Sequence, residues 1–169
     1  KFTGFSRGSN DFDSPDFKVD DEVDGKMSQG TLRDTYLAAL QHDLIDIPEG
    51  ATLVGVVRSP TRWFSPAVDE NHRALGPPQS LLDEFKQRSD DLEAEGLDDA
   101  DAHNTAWDDV DFEPRYREHL ETNPDAQVAL ENLRKRLQAG EDLVLVSYEN
   151  TEKKRCHRTI LREVLGEKL

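Results

Sequence analysis

The chain has 169 residues, enough for one domain with a real core, and its 36 acidic against 21 basic residues give a formal charge of -15. A surface of that sign repels phosphate backbones, which argues against non-specific nucleic-acid binding. The single cysteine rules out an intrachain disulfide framework, and no apolar run approaches the length of a membrane span.

With an apolar fraction of only 35%, the acidic excess fits a proteome adapted to high salt. Carboxylates hold water at such a surface and dissolved ions screen their repulsion. An acidic interaction protein or a partly disordered chain would share the composition. Nothing from Lys1 onward has the pattern of a secretory signal, and a reducing, cytoplasmic location is the expectation.

In chain order, KFTGFSR at residues 1–7 alternates loosely and predicts a first or edge strand. Residues 9–30 hold acids and glycines with no usable period, and predict a loop or partly disordered insertion. Thr31 followed by Asp34 suggests the cap of a helix over 32–44, with Leu32, Tyr36, Ala39 and Leu40 on one face. ATLVGVV at 51–57 is a short apolar run bounded by turn residues, as a buried parallel strand would be.

The segment from 58 to 78 carries Pro60, Pro66, Pro77 and Pro78, and reads as ordered loop. A helix follows over 79–93, with Leu81, Leu82, Phe85 and Leu92 as apolar positions. Residues 90–113, dense in acids, predict a surface segment interrupted by AHNTAW. Phe112, Tyr116 and Leu120 share a face of a helix near 112–121. Asn123 caps the next helix, Pro124 opens it, and Val128, Leu130, Leu133 and Leu137 point inward. Gly140 stops it, DLVLVSY at 142–148 is a second strong strand, and a last helix runs from about Cys156 to Leu165. Residues 1–169 thus predict a single domain of α/β class. Its sheet is mostly parallel with helices on both faces, a three-layer sandwich, with no third strand evident between 58 and 140.

In open sheets of this kind, ligands gather beyond the carboxyl ends of the strands. Two arginine-bearing loops leave those ends: one with Arg58 and Arg62, the other with Arg155 and, just beyond it, Arg158. Their convergence predicts a local basic pocket on a negative protein, suited to a small anionic, phosphorylated or nucleotide-like molecule. The helix starting near Cys156 adds unpaired amides and the favourable end of its dipole. A thiol there has its thiolate favoured. Cys156 reads three ways: a nucleophilic or redox-active thiol beside His157, a small buried hydrophobe locking the helix start, or an unreactive ligand contact.

Glu149, at a strand's carboxyl end, could orient an arginine, act as a base or be one more surface acid. Trp63 is placed to stack over a ligand, and Trp107 serves either as such a wall or as a core anchor. CHRTILR spells Cys-x5-Arg, but it lacks the small residues with which a phosphatase loop turns its amides inward. On a regular helix Arg162 would also lie ~9 Å along the axis from Cys156. His42, His72, His103, His119 and His157 show no paired spacing, so no metal is expected. Without a glycine-rich nucleotide motif, no cofactor is expected either.

LVGVVRSP at 53–60, FEPRYREHL at 112–120 and EDLVLVSYENTEKKRCHRTILREVL at 141–165 resemble the DUF488 family of uncharacterised proteins. The long acidic form, with WFSPAVDENHRALGPP and AHNTAW, is similar to haloarchaeal members. The resemblance implies an α/β fold with a cysteine-and-arginine cluster near the strand ends, and Arg58, Cys156, His157 and Arg158 match the motif. The sequence departs at Val56, where many relatives carry aspartate, and at Ser147, near positions often held by cysteine or alanine. The resulting expectation is a protein that binds a small anionic ligand in an arginine and cysteine pocket. Its rivals are a cysteine-dependent hydrolase or transferase, and a nucleic-acid-processing or protein-interaction role. A homodimer is compatible with each.

Overall fold

The computed structural model describes residues 29–167. The strand expected at 1–7 and nearly all of the expected 9–30 loop lie outside these residues. The described elements in chain order are β1 (Leu32–Tyr36), α1 (Leu37–Gln41), β2 (Thr52–Gly55), β3 (Glu70–Asn71), α2 (Gln79–Ala94) and α3 (Asp99–Asp109). They continue with α4 (Phe112–Thr122), α5 (Pro124–Gln138), β4 (Leu143–Ser147) and α6 (His157–Glu167).

All four strands run parallel, in the order β1-β4-β2-β3. The central strand β4 is LVLVS, buried along its whole length. A strand flanked by neighbours on both edges and layers on both faces has no position for a polar repeat, which explains its continuous apolar run. Each such Leu or Val contributes roughly 1.5–3 kcal/mol by leaving water.

Alternation along β4 divides the core. Leu143 and Leu145 join Val54, Tyr116, Leu130, Leu133 and Leu161 in the larger cluster beneath α4, α5 and α6. Val146 points to the opposite face, where it packs with Val57 and Phe64 against Leu37 and Leu40 of α1. Helices therefore cover both faces, as expected for the α/β sandwich.

Four local expectations are corrected. The helix expected over 32–44 is instead β1 followed by a helix of 5 residues. LRDTY pairs with β4 from Leu32 opposite Leu143 to Tyr36 opposite Ser147, so ladder bonds replace helical ones. Thr31 does not cap a helix either: its amide and hydroxyl bind Asp142 at 2.8 and 3.0 Å. Second, the 58–78 segment contains a third parallel partner for the sheet's far side, the 2-residue β3 beside β2.

Third, AHNTAW is no surface interruption. It forms most of α3, with Ala102, His103, Ala106 and Trp107 buried, and Asp98 caps that helix by accepting from the Asp101 amide at 2.8 Å. Fourth, Val128 is 71% exposed, while Ala126, Ala129, Leu130, Leu133 and Leu137 supply the buried face of α5. Asn123 does cap α5, accepting from the Ala126 amide at 3.0 Å.

Two glycines shape the turn that leaves β2. A side chain at Gly55 would stand 2.5 Å from Asn71 Oδ1, and one at Gly76 would stand 2.3 Å from the Arg58 nitrogen. The space at Gly55 lets Asn71 brace Val57 on both sides, accepting from its amide at 3.1 Å and donating to its carbonyl at 3.0 Å. The backbone of residues 56–58 is thereby held where the site needs it.

Candidate functional site around Cys156

The loop leaving β2 and the start of α6 meet at one hydrogen bond. His157 Nε2 lies 2.6 Å from the Val56 carbonyl oxygen. A carbonyl only accepts, so Nε2 carries the proton, and in a neutral ring Nδ1 is left with a lone pair. That lone pair faces Cys156 Sγ at 3.6 Å. The contact arises although the two residues are neighbours in sequence, because Cys156 precedes the first turn of α6 and His157 opens it. The imidazole is thus oriented by one nitrogen and turned toward the thiol by the other, the geometry from which a base can draw a proton off a thiol.

Cys156 is only 5% exposed, and Ser147 Oγ at the end of β4 lies 3.1 Å from its sulfur. Burial alone pushes the thiol up. The positive charge of His157 in its doubly protonated form and its hydrogen bond to the thiolate, with the hydrogen bond from Ser147 and the backbone amide of Arg158, together outweigh it and bring Cys156 down to about 7. The thiolate is thereby favoured relative to that of an ordinary cysteine.

Arg158 is 2% exposed and fully engaged. Its Nε donates to Asp34 Oδ2 at 2.8 Å, and one terminal nitrogen donates to Ser147 Oγ at 2.8 Å and to the Glu149 carbonyl at 3.0 Å. Its other terminal nitrogen reaches Thr151 Oγ1 at 3.3 Å. Asp34 also accepts from Arg162 at 2.7 Å. Arg158 thus ties the end of β4 to β1 and to the following loop.

That loop is fastened to α3. Asn104 donates to the Lys153 carbonyl at 2.8 Å and accepts from the Arg155 amide at 3.0 Å, while His103 Nε2 donates to the Arg155 carbonyl at 2.7 Å. Lys154 pairs with Asp99 and Arg155 with Asp108. The Glu149 carboxylate stands 3.8 Å from His103 Nδ1. Beside Cys156 opens a hollow of about 450 Å³, bordered by Lys153, Lys154, Arg155, Glu113 and Glu163, with Trp107 in its wall.

The remaining predicted residues fall in separate places. Arg58 is half-buried and donates to the Pro77 and Gly76 carbonyls at 2.9 and 3.2 Å. The Tyr116 hydroxyl is within electrostatic reach of both Arg58 and Cys156. Burial pushes that hydroxyl well above its usual range, the charge of Cys156 adds to this, and Arg58 opposes it. Arg62 lies 4.6 Å over the ring of Trp63, which is 63% exposed, and neither lines the hollow. Trp107 is stacked on Phe112 at 3.9 Å, so it anchors the core and walls the hollow at once.

Asp34, Ser147, Tyr116, His103 and Asn104 complete the arrangement without having been assigned to it from sequence. The signal for Asp34 was the two-residue alternation of Leu32, Asp34 and Tyr36, which places it on the face that α6 covers. Among the described residues, no group of three or more His, Cys, Asp or Glu is arranged to hold a metal ion, and no helix is long and apolar enough to cross a membrane.

A parallel α/β sheet with a thiol and imidazole at its carboxyl edge defines the class. Residues 39–169 match the family model described as the active DUF488-N3 subclade, DUF488-N3a. The chain belongs to the DUF488 family. Neither a curated protein nor a solved structure matches it.

Proposed function

We propose that the hollow beside Cys156 receives a small anionic molecule, phosphorylated or nucleotide-like, and that the Cys156 thiolate attacks it in a hydrolytic or group-transfer reaction. The observation that carries this reading is the buried thiol facing a base whose other nitrogen is locked on Val56 at 2.6 Å. His157 Nδ1 takes the thiol proton. The thiolate forms a bond to the electrophilic carbon or phosphorus as the bond to the leaving group breaks. The departing group keeps the electron pair and takes the proton from His157. Water or a second acceptor, losing a proton to His157, then displaces the sulfur, and the thiol returns.

The ligand's negative group is assigned to the start of α6 and to Lys153–Arg155, where amides and cations favour it. Arg58, Arg62 and Trp63 contribute only if the 58–64 loop turns toward the ligand. Glu113 and Glu163 favour a molecule that carries hydrogen-bond donors away from its anionic end. The acidic surface supports a haloarchaeal-type, high-salt cytoplasm as the setting.

Alkylation of Cys156 by iodoacetamide, followed by mass spectrometry across pH, tests the reading. The rate should rise with a midpoint near 7, and inorganic phosphate should slow it. A midpoint in the free-thiol range near ~8.5, or no protection by phosphate at any concentration, would remove it.

A further inference from the structure

Three elements, α6, β1 and β4, contribute to one line of hydrogen bonds that ends on the sulfur. Arg162 on α6 donates to Asp34 on β1 at 2.7 Å, Asp34 accepts from Arg158 at 2.8 Å, Arg158 donates to Ser147 at 2.8 Å, and Ser147 Oγ lies 3.1 Å from Cys156 Sγ. The direction of the last bond follows from the charge of the sulfur: a thiolate only accepts, so Ser147 Oγ donates to it. A guanidinium only donates, so it occupies a lone pair of Ser147 Oγ and leaves the hydroxyl hydrogen free. Among the described residues, the sulfur is the partner recorded for that hydrogen.

The chain's far end is needed for the same reason. A guanidinium that is 2% exposed requires a compensating anion, and the carboxylate paired with it is that of Asp34, 15% exposed. Arg162, outside the buried layer, holds that carboxylate's second oxygen. We propose that Asp34 is a positioning residue for Cys156: it fixes the Arg158 fork, and the fork orients the Ser147 hydroxyl toward the sulfur. This rests on the reading of Cys156 as a reacting thiolate, and it assigns to β1 a part in the site's chemistry.

The other groups near the sulfur face it with atoms that make no bond to Asp34. They are His157 and the Arg158 amide from α6 and Tyr116 from α4. Lys154, Arg155, Glu113 and Glu163 border the hollow. Arg58 acts on Tyr116.

The test is the pH midpoint of Cys156 alkylation by iodoacetamide in the full chain. Ser147→Ala and Asp34→Ala should each raise it by about one pH unit, a roughly tenfold fall in rate at acidic pH. The double variant should rise no further than either single one, because both break the same line. Asp34→Glu keeps the carboxylate that the buried Arg158 requires and should stay closer to the parent chain than Asp34→Ala does, a rescue that loss of stability alone would not predict.

Where Asp34→Ala does not fold, Arg158→Lys in place of it, alone and combined with Ser147→Ala, performs the same cycle. Additive shifts in either cycle, or an unmoved midpoint in Asp34→Ala while Ser147→Ala shifts, would overturn the proposal and leave the reactive thiol standing. A parent midpoint in the free-thiol range would remove both.

Discussion

Cys156 shows how a side chain's neighbours decide its chemistry. Burial alone would make it an inert small hydrophobe. His157 at 3.6 Å and Ser147 at 3.1 Å turn the same burial to the opposite effect, because in a dry site their hydrogen bonds to sulfur are not shared with water. Tyr116 is the structural counterpart. Its hydroxyl donates to the Leu75 carbonyl at 2.5 Å in a fully buried position. Tyr116→Phe leaves that carbonyl without its partner and should cost about 1–2 kcal/mol, measured by urea unfolding in concentrated KCl. An unchanged midpoint would mean that the bond contributes nothing net.

The proximity of Cys156, His157, Arg155 and Arg158 was visible at this scale because they are clustered in sequence, whereas Arg58 and Arg62, expected beside them, do not line the hollow. Asp34 was not legible, since an aspartate three places after a threonine satisfies a helix-cap pattern equally well. Its true role depends on Arg158, 124 positions further along.

At the level of elements, α3 does for the 149–156 loop what a disulfide or a bound ion does elsewhere. Asn104 grips main-chain atoms on either side of Lys154, and His103 takes the next carbonyl. Asn104→Ala should release this grip and speed hydrogen exchange at the Arg155 amide by about tenfold or more, while amides of β4 keep their protection. Uniform acceleration throughout the chain would instead mean that the whole fold has weakened.

The two strong strands and helices α2, α4, α5 and α6 were readable from apolar period, caps and turn residues. The misreadings at β1 and α3 share one cause: short amphipathic segments whose polar residues are consumed by distant partners. LRDTY owes its conformation to β4, and AHNTAW owes its burial to α2 and the cysteine loop. Neither partner can be seen in a local window. The two-residue β3 falls below any period, and only the Asn71 brace and its register with Val54 and Gly55 mark it.

For the molecule as a whole, a charge of -15 must be accommodated. Surface ion pairs weaken with salt, but the summed self-repulsion weakens too, and for so large an excess of one sign the second effect dominates. The melting temperature should therefore rise between about 0.1 M and about 2 M KCl. A fall would mean that discrete pairs such as Arg115 with Glu84 and Arg117 with Glu163 outweigh the net charge.

One cluster also gives a pH prediction. Hydrogen bonds from Arg136 hold Glu70 and Glu141 below their ordinary value of 4.5, with His72 helping at Glu70 and Thr52 at Glu141. Carboxylates lowered in the folded state add stability above that range and lose it as pH falls through the lowered values. Arg136→Ala should thus be less stable than the parent by about 1 kcal/mol near neutrality. The difference should shrink below pH 4.5 as both carboxylates protonate. A gap that stays constant down to acid pH would show that Arg136 acts through packing alone.

Because α3 holds residues 153–155 by their carbonyls and an amide, the identity of the Lys153 side chain is decoupled from the placement of the sulfur. The side chain of Lys153 can therefore be exchanged with little effect on the loop, whereas Lys154 and Arg155 also pair with Asp99 and Asp108 of α3 and add to its hold. Substitutions at Lys153 would thus change the charge at the mouth of the hollow while the backbone path that leads to Cys156 stayed where Asn104 and His103 hold it.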